Sequence, residues 1–201
     1  MAGAFSGYVA DSNLGTGWSG RYATYNPSDD WKKIPFNDFY SKFYPDYFNL
    51  KNQSDDELFL SLAELYRIVV MLRVTDTYGP IPYSKFGTGI QVAYDSQKDV
   101  YYRFFEELEN AIEVLTSYNS RTSEPYLEDY DYIYNGNVGN WIKFANTLRL
   151  RLAMRISYVD QTKAETEAKA AIDHTIGLMT SVSDNAVLKQ SVSFSFINEW
   201  W

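Results

Sequence analysis

The sequence predicts an all-α fold of antiparallel helices in pairs, joined by long loops that are rich in aromatic residues. Three observations support this prediction. Apolar residues recur at helical spacing in four separate segments. Capping patterns begin three of these segments, and little of the chain predicts a sheet. With 201 residues, of which 45% are hydrophobic, the chain is long enough to bury a core.

The first predicted helix begins at Ser54, where SDDE (Ser54 to Glu57) has the spacing of a capping box. Apolar residues then recur at helical spacing: Leu58, Leu62, Leu65, Val69 and Leu72. Residues 1–53 are rich in Gly, Ser, Asn, Asp and aromatic residues. They are predicted to form an irregular N-terminal segment, in which a short helix between Pro35 and Pro45 stays open. The predicted domains are therefore residues 1–53 and a helical domain over residues 54–201.

The second predicted helix begins at Ser96 with the box-like pattern SQKD. Its buried stripe is Tyr101, Phe104, Phe105, Leu108, Ala111, Ile112 and Leu115. Its solvated face is predicted to carry Arg103, Glu106, Glu107, Glu109, Asn110 and Glu113. A charged surface is the expected role of these glutamates, because no pattern pairs them across a cleft for catalysis.

The third predicted helix runs from about Val138 to Tyr158, and the fourth begins with the box TKAE (Thr162 to Glu165). The inner face of the third helix is predicted to be Trp141, Phe144, Ala145, Leu148, Leu152, Ala153 and Ile156. The buried side of the fourth is predicted to be Ala164, Ala168, Ala171 and Ile172. The arginines of the third helix, Arg149, Arg151 and Arg155, are expected to pair with internal carboxylates in this acidic protein.

Composition restricts the function. The net charge of −8 disfavours binding to nucleic acid or to an anionic membrane surface, whereas neutral ligands such as sugars, or another protein, fit better. The chain has no cysteine, and its single histidine, His174, is expected to be a cap or core residue. No motif indicates a cofactor, a metal or catalytic residues. The acidic loop at Asp129 fails the EF-hand pattern because Tyr134 stands where glycine is needed, which leaves only an irregular calcium site open.

Aromatic residues make up 17% of the chain and concentrate in predicted loops. Exposed rings can stack on the apolar faces of sugars, while tyrosine and tryptophan also offer a polar group. The candidate ligand-binding residues are Trp18, Tyr22, Trp31, Tyr126, Tyr130 and Tyr132. The first three precede the first predicted helix, and the last three lie in the loop from Ser117 to Asn137. Packing of these rings against the helices is the competing interpretation.

The stretch RVTDTYGPIPYSK (Arg73 to Lys85) ends the first helix in a rigid corner. Pro80 and Pro82 cannot continue a helix, and each restricts the residue before it to extended geometry. Gly79 can adopt the positive φ that closes a helix C-terminus, and Asp76 is expected to bond nearby backbone donors. The corner is therefore predicted to be a structural motif and not a ligand site.

Four blocks in the same order resemble the SusD/RagB family of surface glycan-binding lipoproteins. They are VTDTYGPIPYSK, YDSQKDVYYRFFEELENAIEVL (Tyr94 to Leu115), YIYNGNVGNWIKFANTLRLRLAMRIS (Tyr132 to Ser157), and ETEAKAAID with LMTSVSDNA (Glu165 to Ala186). Together they cover about two thirds of the chain. One departure is Asn137, where relatives often carry aspartate.

The resemblance implies tetratricopeptide-like helix pairs in a right-handed scaffold. It implies a lipoprotein at the outer-membrane surface, on the cell exterior, that captures oligosaccharides without cleaving them. Its expected partners are the oligosaccharide and a TonB-dependent transporter. Membrane attachment is expected only through a lipid anchor, whose cysteine this chain does not contain. Because known members are longer, we expect the chain to be an incomplete segment.

Two other functions stay open on the sequence. One is peptide binding, either by a free-standing tetratricopeptide-like adaptor or by a peptide-binding branch of the same family. The other is an enzyme acting on glycosides, which would need a pair of carboxylates held across a cleft. Nothing in the sequence nominates such a pair, so the protein is not expected to be an enzyme.

Overall fold

The computed structural model describes residues 28–188, apart from the side chain of Trp31. Residues 47–188 belong to one compact unit, and residues 28–46 belong to a separate unit. Six α-helices lie within the described residues: α1 (Asp29–Asp38), α2 (Tyr44–Gln53), α3 (Glu57–Tyr78), α4 (Gln97–Arg121), α5 (Val138–Ile156) and α6 (Gln161–Ile172). A π-helical turn (Phe39–Phe43) follows α1, and a 3-10 turn (Val182–Asp184) follows α6. Within residues 28–188 no β-strand forms, so the all-α prediction is confirmed.

Side-chain pairs show that α3, α4, α5 and α6 pack as successive antiparallel neighbours. Arg67 on α3 bonds to Glu107 on α4, and Asp76, farther along α3, bonds to Tyr101, which comes earlier on α4. The two helices therefore run in opposite directions. Arg155 and Arg149 on α5 bond to Tyr101 and Glu109 on α4 in the same opposed order. Arg149 on α5 also bonds to Glu167 on α6 across the short connection between Ile156 and Gln161, so these two helices are antiparallel as well. Both predicted antiparallel pairs are therefore present.

The predicted apolar stripes supply most of the core of this unit, but on α3 Leu62 and Val69 are half-buried while Ser61 and Ile68 are buried instead. All seven stripe residues of α4, from Tyr101 to Leu115, are buried. On α5 the predicted inner face is buried except for Phe144, which is half-buried, and Ile142 and Asn146 join it. On α6, Ile172 was predicted to be buried but is 55% exposed, and Glu167 takes a buried position instead.

Residues 29–53 are helical, so the prediction of an irregular segment was wrong for this range. Pro45 lies two residues after the π-helical turn and Pro35 lies inside α1, and the helical run continues through both prolines. The helices carry no regular apolar stripe, which is why helical periodicity did not reveal them. Residues 1–27 of the predicted segment lie outside the described residues. The predicted domain boundary between residues 53 and 54 stays a prediction.

Two helix caps differ from the predicted ones. Asp56, and not Ser54, caps α3 by accepting from the N–H groups of Leu58 and Phe59. Asp160, and not Thr162, caps α6 by accepting from Lys163 N–H. In both cases a carboxylate stands immediately before the first helical residue, and aspartate is as good a cap as serine. Ser96 caps α4 as predicted, with its hydroxyl accepting from Asp99 N–H at 3.1 Å.

Glu107 was predicted to lie on the solvated face of α4, but its side chain is only 20% exposed. Arg67 donates to Glu107 at 2.6 Å and, through Nε, to Glu64 at 2.7 Å. Tyr83 donates to the second oxygen of Glu107 at 2.5 Å, and Tyr47 donates to Glu64 at 2.5 Å. The guanidinium also lies 4.5 Å from the ring centroid of Tyr83 and 5.1 Å from that of Tyr47. These five residues are called the Arg67 cluster below.

The Arg67 cluster holds two carboxylates against one guanidinium. Burial raises the pKa of Glu107 to about 7, and the nearby Glu64 carboxylate acts in the same direction. Arg67 and the Tyr83 hydroxyl oppose this rise because both bond the ionised form. Burial likewise raises the pKa of the Tyr83 phenol, which therefore stays a hydrogen-bond donor at neutral pH.

A second buried ion pair joins α5 to α6. Arg149 Nε donates to Glu167 at 2.6 Å, and both residues are buried. Lys163 reaches the other oxygen of Glu167 at 2.6 Å, and Glu109 on α4 lies 3.4 Å from Arg149. The expected pairing of the α5 arginines with internal carboxylates is thus found at Arg149 and, with Asp76, at Arg155.

Glu107→Gln should change how stability depends on pH. The pKa of Glu107 is about 7 in the folded state, above its ordinary value of 4.5, so between these values the folded protein binds more protons there than the unfolded chain does. This group's contribution to stability is therefore present at low pH and is lost as pH rises. Urea unfolding of wild type and variant should show a wild-type advantage that is larger at about pH 5 than at about pH 7.5.

The matched control is Glu106→Gln, which removes an adjacent carboxylate that is 59% exposed. Its stability difference from wild type should vary far less across the same range. A Glu107→Gln difference that stays constant, or that grows in favour of wild type with rising pH, would contradict the assignment.

Arg149→Met should destabilise the protein by about 3 kcal/mol, because it leaves the buried Glu167 carboxylate with Lys163 alone. Urea unfolding measures this loss. Replacing both Arg149 and Glu167 by methionine should restore much of it, since neither charge is then buried. The control is Arg103→Met, which removes an exposed ion pair with Glu106 and should cost under about 1 kcal/mol. Equal losses for the two single variants would rule out a buried pair at Arg149.

Candidate functional site

Residues 122–137, called the aromatic loop, connect α4 to α5 and are organised around Asp131. One oxygen of Asp131 accepts from the N–H groups of Ile133 at 3.0 Å and Tyr134 at 3.1 Å. The other accepts from Gly136 N–H at 2.9 Å and from the Trp141 indole N–H at 2.8 Å. Asp131 therefore fixes the loop to the start of α5. Within residues 28–188, no group of three or more His, Asp or Glu side chains is placed to hold a metal ion.

Three tyrosines around this centre are exposed, and they are called the tyrosine face. Tyr130 and Tyr132, on either side of Asp131, are 76% and 38% exposed, and Tyr66 on α3 is 47% exposed. The Tyr66 ring lies 5.9 Å from the ring of Trp141, whose indole bonds to Asp131. The predicted candidates Tyr130 and Tyr132 are thus neighbours of Asp131 in the chain, and Tyr66 approaches the same carboxylate through Trp141.

Tyr66 was missed by sequence reasoning. It precedes Arg67 within an apolar run, and its neighbours suggested a buried helix. Its spacing gave no contrary signal, because Tyr66 lies one turn from both Leu62 and Val69 and so at the edge of the predicted stripe. Partial burial and the nearby Asp131 carboxylate both raise the pKa of the Tyr66 phenol.

Tyr126, another predicted ligand-binding residue, supports the loop from within. Its hydroxyl donates to Asp56 at 2.6 Å, and its ring meets that of Tyr118 edge-on at 5.8 Å. Burial is the main cause of the raised pKa of the Tyr126 phenol. Because Asp56 also caps α3, this bond fixes the aromatic loop to the start of that helix.

Tyr134 anchors the other side of the loop. It is buried, its ring meets Trp141 edge-on at 5.1 Å, and its hydroxyl donates to the backbone oxygen of Asp184 at 2.7 Å. Burial raises the pKa of Tyr134 to about 12. The predicted candidates Trp18 and Tyr22 lie outside the described residues, and only the backbone of Trp31, in α1, is described.

The corner after α3 is built into the core. Gly79 has φ of +77° and ψ of −122°, and its N–H bonds to Thr75 O at 2.8 Å. Pro80 is exposed, whereas Ile81, Pro82 and Tyr83 are buried. Ile81 forms an antiparallel bridge with Asp95. The corner is therefore packed into the helical unit, in agreement with the structural role that the sequence predicted.

Two side chains at the corner make bonds that the sequence did not predict. Asp76, expected to bond backbone donors, instead accepts from the Tyr101 hydroxyl at 2.7 Å and pairs with Arg155 at 2.9 Å. The Asp95 carboxylate supplies the backbone bonds, accepting from the N–H groups of Tyr83 and Ser84.

Residues 1–201 match the family of SusD-like proteins described as "Susd and RagB outer membrane lipoprotein". The chain belongs to this family. The resemblance drawn from the four sequence blocks is confirmed, and so is the tetratricopeptide-like all-α fold. The family description places the protein among outer-membrane lipoproteins. Within residues 28–188, no helix combines the length and apolar character needed to cross a bilayer.

Solved SusD homologues share the fold. One from Bacteroides ovatus is 64% identical with a TM-score of 0.84, over 95% of this chain and 39% of the other. A chitin-binding homologue from Flavobacterium johnsoniae is 37% identical with a TM-score of 0.75, over 79% of this chain and 34% of the other. This SusD-like chain therefore spans between a third and two fifths of the length of these relatives. No curated protein matches it.

Gly136→Ala should disrupt the aromatic loop. Gly136 has φ of +77°, and an added Cβ would lie 2.7 Å from Tyr126 O and 2.8 Å from Tyr126 N. Backbone strain and this collision together should cost about 3 kcal/mol or more in urea unfolding. The matched control is Gly177→Ala, which has φ of +79° and nothing within 4 Å, and should cost about 1 kcal/mol. Equal costs would show that Tyr126 does not confine Gly136.

Proposed function

We propose that this SusD-like protein captures oligosaccharides at the outer-membrane surface without cleaving them, and delivers them to a TonB-dependent transporter. The observation that carries the proposal is the match of the whole chain to a family of outer-membrane lipoproteins. The chain covers 39% of the Bacteroides ovatus relative. Capture and delivery by a whole SusD-like protein are therefore part of the proposal.

The tyrosine face supports an uncharged, hydroxyl-rich ligand. Tyr130 is 76% exposed and Tyr132 is 38% exposed, on a loop that Asp131 fixes to the start of α5. A ring can cover the apolar face of a sugar while its hydroxyl bonds to a sugar hydroxyl. A loop already ordered by internal hydrogen bonds loses little entropy on binding. The net charge of −8 disfavours anionic ligands in the same place.

The buried carboxylates support capture without cleavage. Hydrolysis of a glycosidic bond needs a carboxylic acid with a raised pKa that can reach the leaving oxygen. Glu107 has a pKa of about 7, but it is bonded to Arg67 and Tyr83 inside the helix pair. Both of its oxygens are thus bonded within the scaffold, which is the role that the contacts support.

Chitin oligosaccharides are the first ligands to test. The Flavobacterium johnsoniae homologue is named as chitin-binding, and so is another solved neighbour that is 30% identical. Transfer of that ligand to this chain is part of the proposal. Starch and xylan belong in the same panel, because the tyrosine face by itself does not select one neutral sugar over another.

Native affinity electrophoresis tests the function directly. The 201-residue chain and the Bacteroides ovatus relative are run through gels containing soluble chitin derivatives, starch or xylan. The expected result is retardation of this chain by one polysaccharide, with no release of reducing ends. Tyr130→Ala combined with Tyr132→Ala should weaken the retardation, because it removes two exposed rings. The matched control is Tyr94→Ala, which removes a tyrosine that is 60% exposed on the loop before α4.

Each other outcome has a defined meaning. Retardation of the Bacteroides ovatus relative alone would place the glycan contacts outside these 201 residues. Retardation of this chain with release of reducing ends would replace capture by catalysis. Failure of both proteins to respond to any polysaccharide would reject glycan capture, and would favour the peptide-binding role that the sequence left open.

A further inference from the structure

A groove of about 410 Å³ lies where α3 and α5 end and α4 and α6 begin. Its wall includes Asp76 near the end of α3, Tyr101 and Tyr102 in the second turn of α4, Arg155 near the end of α5, and the α6 cap Asp160. Small-molecule sites in proteins typically measure roughly 300–1,000 Å³. The groove is thus large enough for a small ligand, and neither the fold nor the tyrosine face accounts for it.

Three side chains on one wall fix one another. The Tyr101 hydroxyl donates to Asp76 Oδ1 at 2.7 Å and accepts from Arg155 Nε at 2.9 Å. Arg155 Nη2 pairs with Asp76 Oδ2 at 2.9 Å. Burial is the main cause that raises the pKa of Tyr101 to about 12, so its hydroxyl remains protonated. The Arg155 side chain is nevertheless 44% exposed, so it still faces solvent in the groove.

The opposite wall is held in the same way. The Tyr102 hydroxyl donates to Asp160, whose other oxygen caps α6 by accepting from Lys163 N–H at 3.0 Å. The Lys98 ammonium lies 5.2 Å from the centroid of the Tyr102 ring. Hydrogen bonding to Asp160 raises the pKa of the Tyr102 phenol and lowers that of the carboxyl. The ring and its polar partners are therefore positioned before any ligand arrives.

The chemistry of the groove matches one class of ligand. Its two acidic side chains, Asp76 and Asp160, are balanced by two basic ones, Lys98 and Arg155. A balanced wall gives no net attraction to a phosphate or carboxylate polymer. Fixed carboxylates and cations can instead accept from and donate to hydroxyl groups, while Val159 and the Tyr102 ring offer apolar surface. A neutral sugar ring has both kinds of surface.

We propose that this groove binds one neutral sugar unit, as a contact site separate from the tyrosine face. The inference rests on the proposed glycan capture and extends it to a second part of the protein. The two sites lie toward opposite ends of α5. Trp141, beneath the tyrosine face, and Arg155, in the groove, are separated by about 21 Å along the helix axis.

Isothermal titration tests the groove with three defined probes: chitotetraose, maltotetraose and xylotetraose. Tyr102→Ala removes the ring, and its affinity for the probe that wild type binds should fall about tenfold. Tyr102→Phe keeps the ring but loses the bond to Asp160, so most of the affinity should return. Arg155→Met tests the other wall without touching the ring. The matched control is Tyr158→Ala, which removes a tyrosine that is 101% exposed and lies just beyond α5.

The outcomes separate the groove from the function as a whole. Weaker binding by Tyr102→Ala and Arg155→Met, with unchanged urea unfolding and a Tyr158→Ala variant like wild type, supports the groove. Wild-type affinity in both groove variants overturns the groove and leaves glycan capture standing. Failure of wild type and of the Bacteroides ovatus relative to bind any of the three probes, together with no retardation in the gels, rejects glycan capture and the groove with it.

Discussion

The Arg67 cluster is the interaction on which the rest of the helical unit depends. One guanidinium is shared by Glu64 and Glu107, and the two tyrosines that donate to these carboxylates also place their rings against it. The partners come from α2, α3, the corner and α4, so one buried charge sets the relative position of four segments. Removing Arg67 would leave two neighbouring carboxylates without their shared countercharge, which is far more costly than losing an exposed ion pair. The same register of α3 against α4 also brings Asp76 to the Tyr101 hydroxyl, farther along these two helices.

Both proposed contact sites use positions that this register fixes. The aromatic loop is tied to the cap of α3 through Tyr126 and to the start of α5 through Asp131. The groove is tied to the far ends of the same helices through Asp76 and Arg155. Side chains held by helices and by their own hydrogen bonds keep their positions better than side chains on free loops. A protein that binds without chemistry gains most from this rigidity, because its affinity is what remains after the cost of ordering the site.

Sequence reasoning succeeded where local pattern decides the outcome and failed where a distant partner does. The stripe of α4 and its Ser96 cap follow from spacing alone, and both are present. Glu107 looks like a surface residue by the same spacing, but Arg67, 40 residues away, brings it into the core. Glu167 was hidden in the same way, since its buried partner Arg149 lies 18 residues away in the chain. The cap at Asp160 was missed for a local reason, because the threonine-led box TKAE offered another cap nearby. For the candidate site, composition identified the tyrosine-rich loop. Only the structure shows that Tyr134 is buried and Tyr126 is bonded to Asp56, whereas Tyr130 faces solvent.

The separation of the two proposed sites has a consequence for the kind of glycan captured. Each site offers few contacts, so a short sugar that reaches one of them binds weakly. A chain that spans the distance of about 21 Å along α5 contacts both, and its second contact forms at the high effective concentration that the first one creates. Because α5 is a continuous helix from Val138 to Ile156, this spacing is rigid and does not adjust to the ligand. The two proposals together therefore predict that extended oligosaccharides bind better than single sugars, through geometry and not through recognition of one particular sugar.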